Sequence, residues 1–340
     1  MANTHILVCG GGGFIGRNLL ERLAARQDVE LSATYHTRPP AAPSAAPVRW
    51  LKADLTDAKQ VGEVVRGKTI VIQAAAVTSG AKDTITRPYL HVTDNAVMNS
   101  LIFRACFEHQ VQHVVFFSCA TMYPSQREPV REDAVTYQLE EKYFGVGWTK
   151  VYLEKMCEFY SRIGTTKYTA IRHSNIYGPY DKFDLERSHV FGATMTKVLR
   201  ATDGTIRVWG DGSEARDLLY VSDLVHFVET VIDAQRDRFE LINVGCGRGV
   251  TVRELVERIM TLAGRPLSIE FDRSQPTIPF NVALDISRAR AKYGWEPRVS
   301  LDEGIRKTLD WYRAYLLPGE SAAHRSASQL TSDRGVAAPA

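Results

Sequence analysis

Short apolar runs alternate with amphipathic stretches through the first half of the chain, a rhythm that predicts parallel strands joined by crossover helices. Strands are expected at 6–9, 29–35, 48–51, 69–73, 113–118 and 168–172. Between them, apolar positions three and four apart predict helices over about 14–26, 57–66, 93–109 and 148–163. The expected fold class is α/β, a doubly wound parallel sheet. After Arg172 the rhythm gives way to a loop rich in Gly, Pro, Asp and Tyr, then to shorter elements. A strand near 240–244 is expected to return to the first sheet. This divides the chain into a sheet-forming part, 1–175 with about 216–245, and a smaller C-terminal part, 176–215 with 246–317. The stretch 38–47 reads as a surface loop and 318–340, rich in Ala, Ser and Gly, as a disordered tail.

Composition narrows the function classes. Among 340 residues, 42 Lys and Arg face 39 Asp and Glu, a net charge of +3 with no basic stripe, so neither nucleic acid nor a membrane surface is an expected partner. Cysteines stand at 9, 106, 119, 157 and 246, odd in number and never as C-x-x-C. They form neither a disulfide framework nor a metal signature, and a reducing cytoplasm suits them. No basic and apolar leader precedes the first strand, and no apolar run approaches the roughly 18 residues of a membrane span. A soluble, cytoplasmic protein without a metal is expected.

The first strand runs directly into Gly10-Gly-Gly-Gly13-Phe-Ile-Gly16 and then a helix. Glycines at 10, 13 and 16 allow a tight turn, close approach to a pyrophosphate and packing of helix on strand, with Phe14 and Ile15 opening the helix. Strand, turn and helix together predict a dinucleotide site of Rossmann type. The second strand ends in Thr34-Tyr-His-Thr-Arg38, without the acid that would hold a ribose 2′-hydroxyl. His36 and Arg38 suit a 2′-phosphate, so NADP is expected over NAD. Asp54, followed by Leu55, suits either the adenine edge or a turn cap.

Further along, Ala74-Ala-Ala76, Phe116-Phe-Ser-Cys-Ala-Thr-Met-Tyr-Pro124, Arg172-His-Ser-Asn-Ile-Tyr-Gly-Pro-Tyr180, Ser188-His-Val190, Val208-Trp-Gly-Asp-Gly212 and Arg216-Asp217 follow in order. With the glycine turn, they resemble the extended short-chain dehydrogenases that act on nucleotide sugars, over nearly the whole chain to about residue 315. The resemblance implies a nicotinamide cofactor lying along Ala74, Ala75 and Ala76, and a Ser or Thr, a Tyr and a Lys in proton transfer, the last two spaced Tyr-x-x-x-Lys. The Lys place falls on Lys150. The Tyr place falls on Val146 and the Ser or Thr place on Cys119, two departures where protons are handled.

Members that epimerise beside a 4-keto group use a Cys and a His; the His place falls on His189 and the Cys place on Thr121. Cys119 and Thr121 point to the same side if the chain is extended there, so thiol and hydroxyl have changed places. The resemblance thus implies an epimerase, reductase or dehydratase acting on a keto-sugar nucleotide, with Cys119, Thr121, Lys150 and His189 as the acid–base set and Ser118, Thr121, Lys150 or Tyr143 polarising the carbonyl. Asn175, Val190, Trp209 and Arg216 are expected substrate contacts, Arg216 on the diphosphate. A binding protein without turnover is the alternative that Val146 and Cys119 raise. A homodimer through 93–109 and 148–163 is implied, with Phe103, Phe107, Val151 and Phe159 as its face or as core. Asn281 and Val282, where members carry a basic pair, leave the nucleotide open.

Overall fold

The computed structural model describes residues 4–37, 47–78, 87–136, 138–185, 187–275, 277 and 280–317. Its first half alternates β1 (Thr4–Cys9), α1 (Phe14–Leu23), β2 (Val29–Tyr35), β3 (Arg49–Lys52), α2 (Ala58–Val65), β4 (Ile70–Gln73), α3 (Thr93–Glu108), β5 (His113–Phe117), α4 (Phe144–Ile163) and β6 (Lys167–His173). There follow β7 (Asn175–Tyr177), α5 (Val190–Arg200), β8 (Thr205–Trp209), β9 (Ala215–Arg216), β10 (Leu218–Tyr220), α6 (Val221–Ala234) and β11 (Phe239–Val244). The chain continues with β12 (Val250–Thr251), α7 (Val252–Ala263), β13 (Ser268–Asp272), α8 (Ser287–Tyr293) and α9 (Leu301–Tyr315). Arg38, most of the 38–47 stretch and the 318–340 tail lie outside the described residues.

Seven strands form one parallel sheet, ordered β11-β6-β5-β4-β1-β2-β3. Strands β4 and β5 are buried along their whole length, which is why they read as unbroken apolar runs, whereas the edge strand β3 is partly open. Alternate residues of β1 feed two clusters on opposite faces. Ile6 and Val8 pack with α1 and α6, and Leu7 and Cys9 with α2, α3 and α4. β11 pairs with β6, so the strand expected near 240–244 does return to the first sheet. A third cluster joins α5, α7 and α9 through Phe191, Met195, Leu255, Ile259, Ile305 and Tyr312.

One expectation changes. Helix α4 starts at Phe144, a turn before the predicted 148. Gly145 and Gly147 argue against helix by propensity, but a Cβ at either would come within 2.9 Å of Val92 or Leu139, so close packing selects glycine there. Of the residues offered as dimer face or core, two lie in the core: Phe103 is buried among Phe116 and Tyr168, and Val151 packs in a cluster with Cys119 and Tyr143.

Buried Asp217 ties the two halves together. Its carboxylate accepts the backbone N–H groups of Cys246 at 2.7 Å, Gly247 at 3.1 Å and Leu284 at 3.0 Å. Burial raises its pKa, and these donors oppose that rise.

Candidate functional site

The turn after β1 lies at the point where the strand order reverses, between β1 and β4. Open α/β sheets bind ligands there. Gly10 has φ +76°, and a Cβ on it would fall 2.7 Å from the Cα of Ala75, so the turn presses against the end of β4. Thr34 holds it from the other side, its hydroxyl accepting Gly10 N–H at 2.9 Å and its carbonyl Gly11 N–H at 3.1 Å. Gly16 has no room for a Cβ against the Gly10 carbonyl.

Helix α1 begins at Gly13, directly after the turn, with no side-chain cap, a lack it shares with α3, α4, α5, α6 and α8. Its first N–H groups therefore face the turn, as an anion site requires. These features fit a dinucleotide pyrophosphate. Phe14 and Ile15 anchor the helix on the core, and Leu55 is buried beneath α2. Ala74 and Ala75 are half-buried at the end of β4 and Ala76 is exposed, with Ala75 gripped on both backbone groups by the Gln73 amide.

Beside the ends of β2 and β3 opens a cleft of about 590 Å³ lined by His36, Thr37, Lys52, Asp54 and Gln60. Lys52 and Gln60 were missed from the sequence. The pairing of Tyr35 with Lys52 across β2 and β3 brings the lysine to the cleft. Asp54 does serve as a turn cap, accepting Thr56 N–H at 2.9 Å and its hydroxyl at 2.7 Å, bonds that hold its pKa below the usual carboxylate range.

At the end of β5, Cys119 Sγ and Thr121 Oγ1 lie 2.9 Å apart, although the strand has ended two residues earlier. Lys150, one turn into α4, donates to the Phe117 carbonyl at 2.8 Å and lies over the Phe116 ring. Burial lowers its pKa, while Cys119 and Glu154 act to raise it. Gly147 packs against the backbone of Thr121 and Met122, so α4 and this corner are one packed unit.

Tyr143 stands just before α4 with its ring edge-on to Phe280 at 5.0 Å. Burial raises its pKa, Arg216 opposes this, and Cys119 adds to it, so Tyr143, Cys119 and Arg216 share one electrostatic environment. Arg216, in β9, donates to the carbonyls of Ala215 and Phe280. Cys119, Thr121, Lys150, Tyr143 and Arg216 are thus brought together.

Ser118 belongs to a different network. It is buried, and its hydroxyl donates to Glu154 at 2.5 Å. Glu154 receives both Arg172 Nε at 2.9 Å and Nη2 at 2.6 Å, and Arg172 continues to the Tyr123 hydroxyl at 2.9 Å. Tyr123 donates to Asn243 at 2.6 Å. No sequence spacing signals this buried chain beneath the corner, because Glu154 and Arg172 sit on different elements. It turns the Ser118 hydroxyl into a support rather than a substrate contact.

His189 occupies the N-cap position of α5, yet its ring makes no capping bond. Desolvation lowers its pKa, tempered by the open surface of the residue, and Lys182 and His91 act in the same direction. All three favour the neutral imidazole. Lys182 reaches back to the Thr78 carbonyl at 2.7 Å, carrying the loop before α5 over the end of the sheet. Asn175 is half-buried where β7 begins, Val190 packs on the α5 cluster, and Trp209 ends β8 with 36% of its surface open.

The sequence pattern of the NAD dependent epimerase/dehydratase family matches residues 6–245. The chain belongs to that family. A GDP-L-fucose synthase of Escherichia coli (strain K12) is 27% identical over 327 residues, covering 92% of this chain and 97% of its own. A dTDP-4-dehydro-6-deoxy-D-allose reductase of Streptomyces is 26% identical over 324 residues, covering 92% and 98%. Among solved structures, UDP-glucose 4-epimerase of Thermotoga maritima superposes with a TM-score of 0.81 at 24% identity, over 92% of this chain and 100% of that one, and shares the fold. No helix among the described residues is long and apolar enough to cross a membrane.

Proposed function

We propose that the chain is a cytoplasmic, NADP(H)-dependent enzyme that acts on a keto-sugar nucleotide as an epimerase and reductase or as a dehydratase, without the usual tyrosine. The observation that carries this reading is the Cys119–Thr121 contact of 2.9 Å beside Lys150. Protons next to a ketone are acidic enough for a thiolate to remove, provided the carbonyl oxygen is hydrogen-bonded as the enolate forms. Cys119 takes that proton, and Thr121 and Tyr143 donate to the oxygen. Neutral His189 accepts or returns a proton on the opposite side. Asn175 and Val190 position the sugar, Trp209 flanks the nucleotide, and Arg216 pairs with its diphosphate.

The glycine turn, Ala74 to Ala76 and Lys150 hold the cofactor, with Asp54 on the adenine side. When bound, it supplies or takes a hydride at the sugar carbon. His36 and Lys52 in the cleft beyond β2, with no acid at the strand end, support NADP over NAD.

The test is turnover of a panel of 4-keto sugar nucleotides in D₂O with NADPH. Deuterium at a carbon flanking the carbonyl, or NADPH oxidation at about 340 nm, is the expected result; neither signal with any substrate defeats the enzymatic reading. Val146 favours a second reading, a cofactor- and sugar-nucleotide-binding protein without turnover. Under the first reading Val146→Tyr with Cys119→Ser lowers activity, and under the second only that double variant is active.

Exposed Tyr152, Phe159 and Ile163 on α4 recur at helical spacing beside Val97 on α3, which supports a homodimer across these helices. Light scattering is expected to give a dimer, and Phe159→Glu a monomer.

A further inference from the structure

Glu214 is only 8% exposed, and its Oε2 atom finds no hydrogen-bond partner among the described residues. A carboxylate can only accept, so a buried, unmatched oxygen is an acceptor kept for a donor that arrives with a ligand. Its place indicates which ligand. Glu214 and Arg216 flank Ala215 in an extended segment, so their side chains leave on the same face, about 7 Å apart along the strand. The Ala215 methyl faces Gly249 on the other side, where a Cβ would come within 3.1 Å of it.

On the face shared by Glu214 and Arg216, a Cβ at Gly210 would lie 3.0 Å from Glu214 Oε1 and 2.9 Å from Thr277 Cγ2, which puts the carboxylate next to the end of β8 that carries Trp209. Arg216 lies further along, toward Phe280 and Tyr143. The Trp209 ring itself turns to Lys197, while the carboxylate and the Arg216 guanidinium succeed one another along the segment in the order base edge, phosphate.

We infer that Glu214 reads the base of the nucleotide and selects guanine. This rests on the proposed sugar-nucleotide reading, which leaves the base open. Guanine presents two adjacent donors, N1–H and the 2-amino group, which a carboxylate accepts together. Uracil and thymine present one N–H between two carbonyl oxygens, and those oxygens are repelled by an acceptor-only group. The contact discriminates because an unmatched buried carboxylate costs more than a missing hydrogen bond on the surface.

The experiment is calorimetric titration of the cofactor-loaded protein with GDP, IDP, UDP and dTDP, repeated on Glu214→Gln. GDP is expected to bind at least about tenfold more tightly than UDP or dTDP. IDP, which lacks only the 2-amino group, is expected to lose about tenfold against GDP on the unaltered protein, a readout independent of how any variant folds. In Glu214→Gln the GDP affinity falls about 10- to 100-fold while UDP is unchanged. Equal or tighter binding of UDP or dTDP, equal binding of IDP and GDP, or a loss shared by all four overturns the role of Glu214. Binding of none of the four by a protein that still takes up NADPH overturns the sugar-nucleotide reading itself.

Discussion

The turn at the end of β1 and the corner at the end of β5 lie at the same edge of one sheet, yet they work with different atoms. The turn offers the backbone N–H groups that open α1, those of Gly10, Gly11 and Gly13 being taken by Thr34 and by the turn itself, and its side chains are mostly hydrogen atoms. The corner presents a thiol, two hydroxyls and an ammonium drawn from the end of a strand, a loop and a helix. Backbone chemistry tolerates little variation, because Gly10 and Gly16 are fixed by contacts that any Cβ would violate. Side-chain chemistry can exchange its parts, and under the proposed reading Cys119 and Thr121 have exchanged theirs while Val146 fills the place of a tyrosine.

If the two sites divide their work in this way, they separate under mutation. The largest effect is expected from Cys119→Ala, a loss of roughly 10²- to 10⁴-fold in kcat with the affinity for NADPH unchanged. A parallel loss of cofactor affinity would mean that the corner also builds the cofactor site. Gly10→Ala is expected to do the reverse, raising the Kd for NADPH about tenfold or more and lowering the melting temperature, since the residue must keep φ +76° against the Ala75 backbone. Fluorescence titration and a thermal melt read both.

The smallest effect sharpens the electrostatics of the corner. Burial lowers the Lys150 pKa, so its ammonium loses its proton at a lower pH than an exposed lysine does. Activity that needs the charged form is expected to fall as pH rises through a midpoint below the ordinary lysine range. In Lys150→Arg that alkaline fall should disappear. His189 is lowered as well, so its titration moves to the acid side of the ordinary histidine range, away from this alkaline limb. An alkaline limb unchanged in Lys150→Arg would assign it to another group.

The fold and the glycine turn were legible because each states a backbone requirement in the sequence. Buried strands β4 and β5 are unbroken apolar runs, and the glycine spacing states a backbone requirement directly. The corner was legible only in parts. Cys119, Thr121 and Lys150 were found through the order of motifs, but the early start of α4 was hidden by two glycines whose reason is tertiary. Ser118 looked like a ligand contact because its partner, Glu154, is 36 residues away. Lys52 and Glu214 gave no pattern at all, since a strand register brings one to its cleft and a burial makes the other conspicuous.

Asp217 carries a consequence for the order in which the chain can be made. Its carboxylate is satisfied by residues 246, 247 and 284, so the junction of the sheet with the C-terminal half cannot close while the ribosome has yet to emit the last of them. Until then a buried acid waits without its donors beside the end of β11. A nascent chain halted before Leu284 therefore leaves this junction one donor short, whatever the state of the strands already formed.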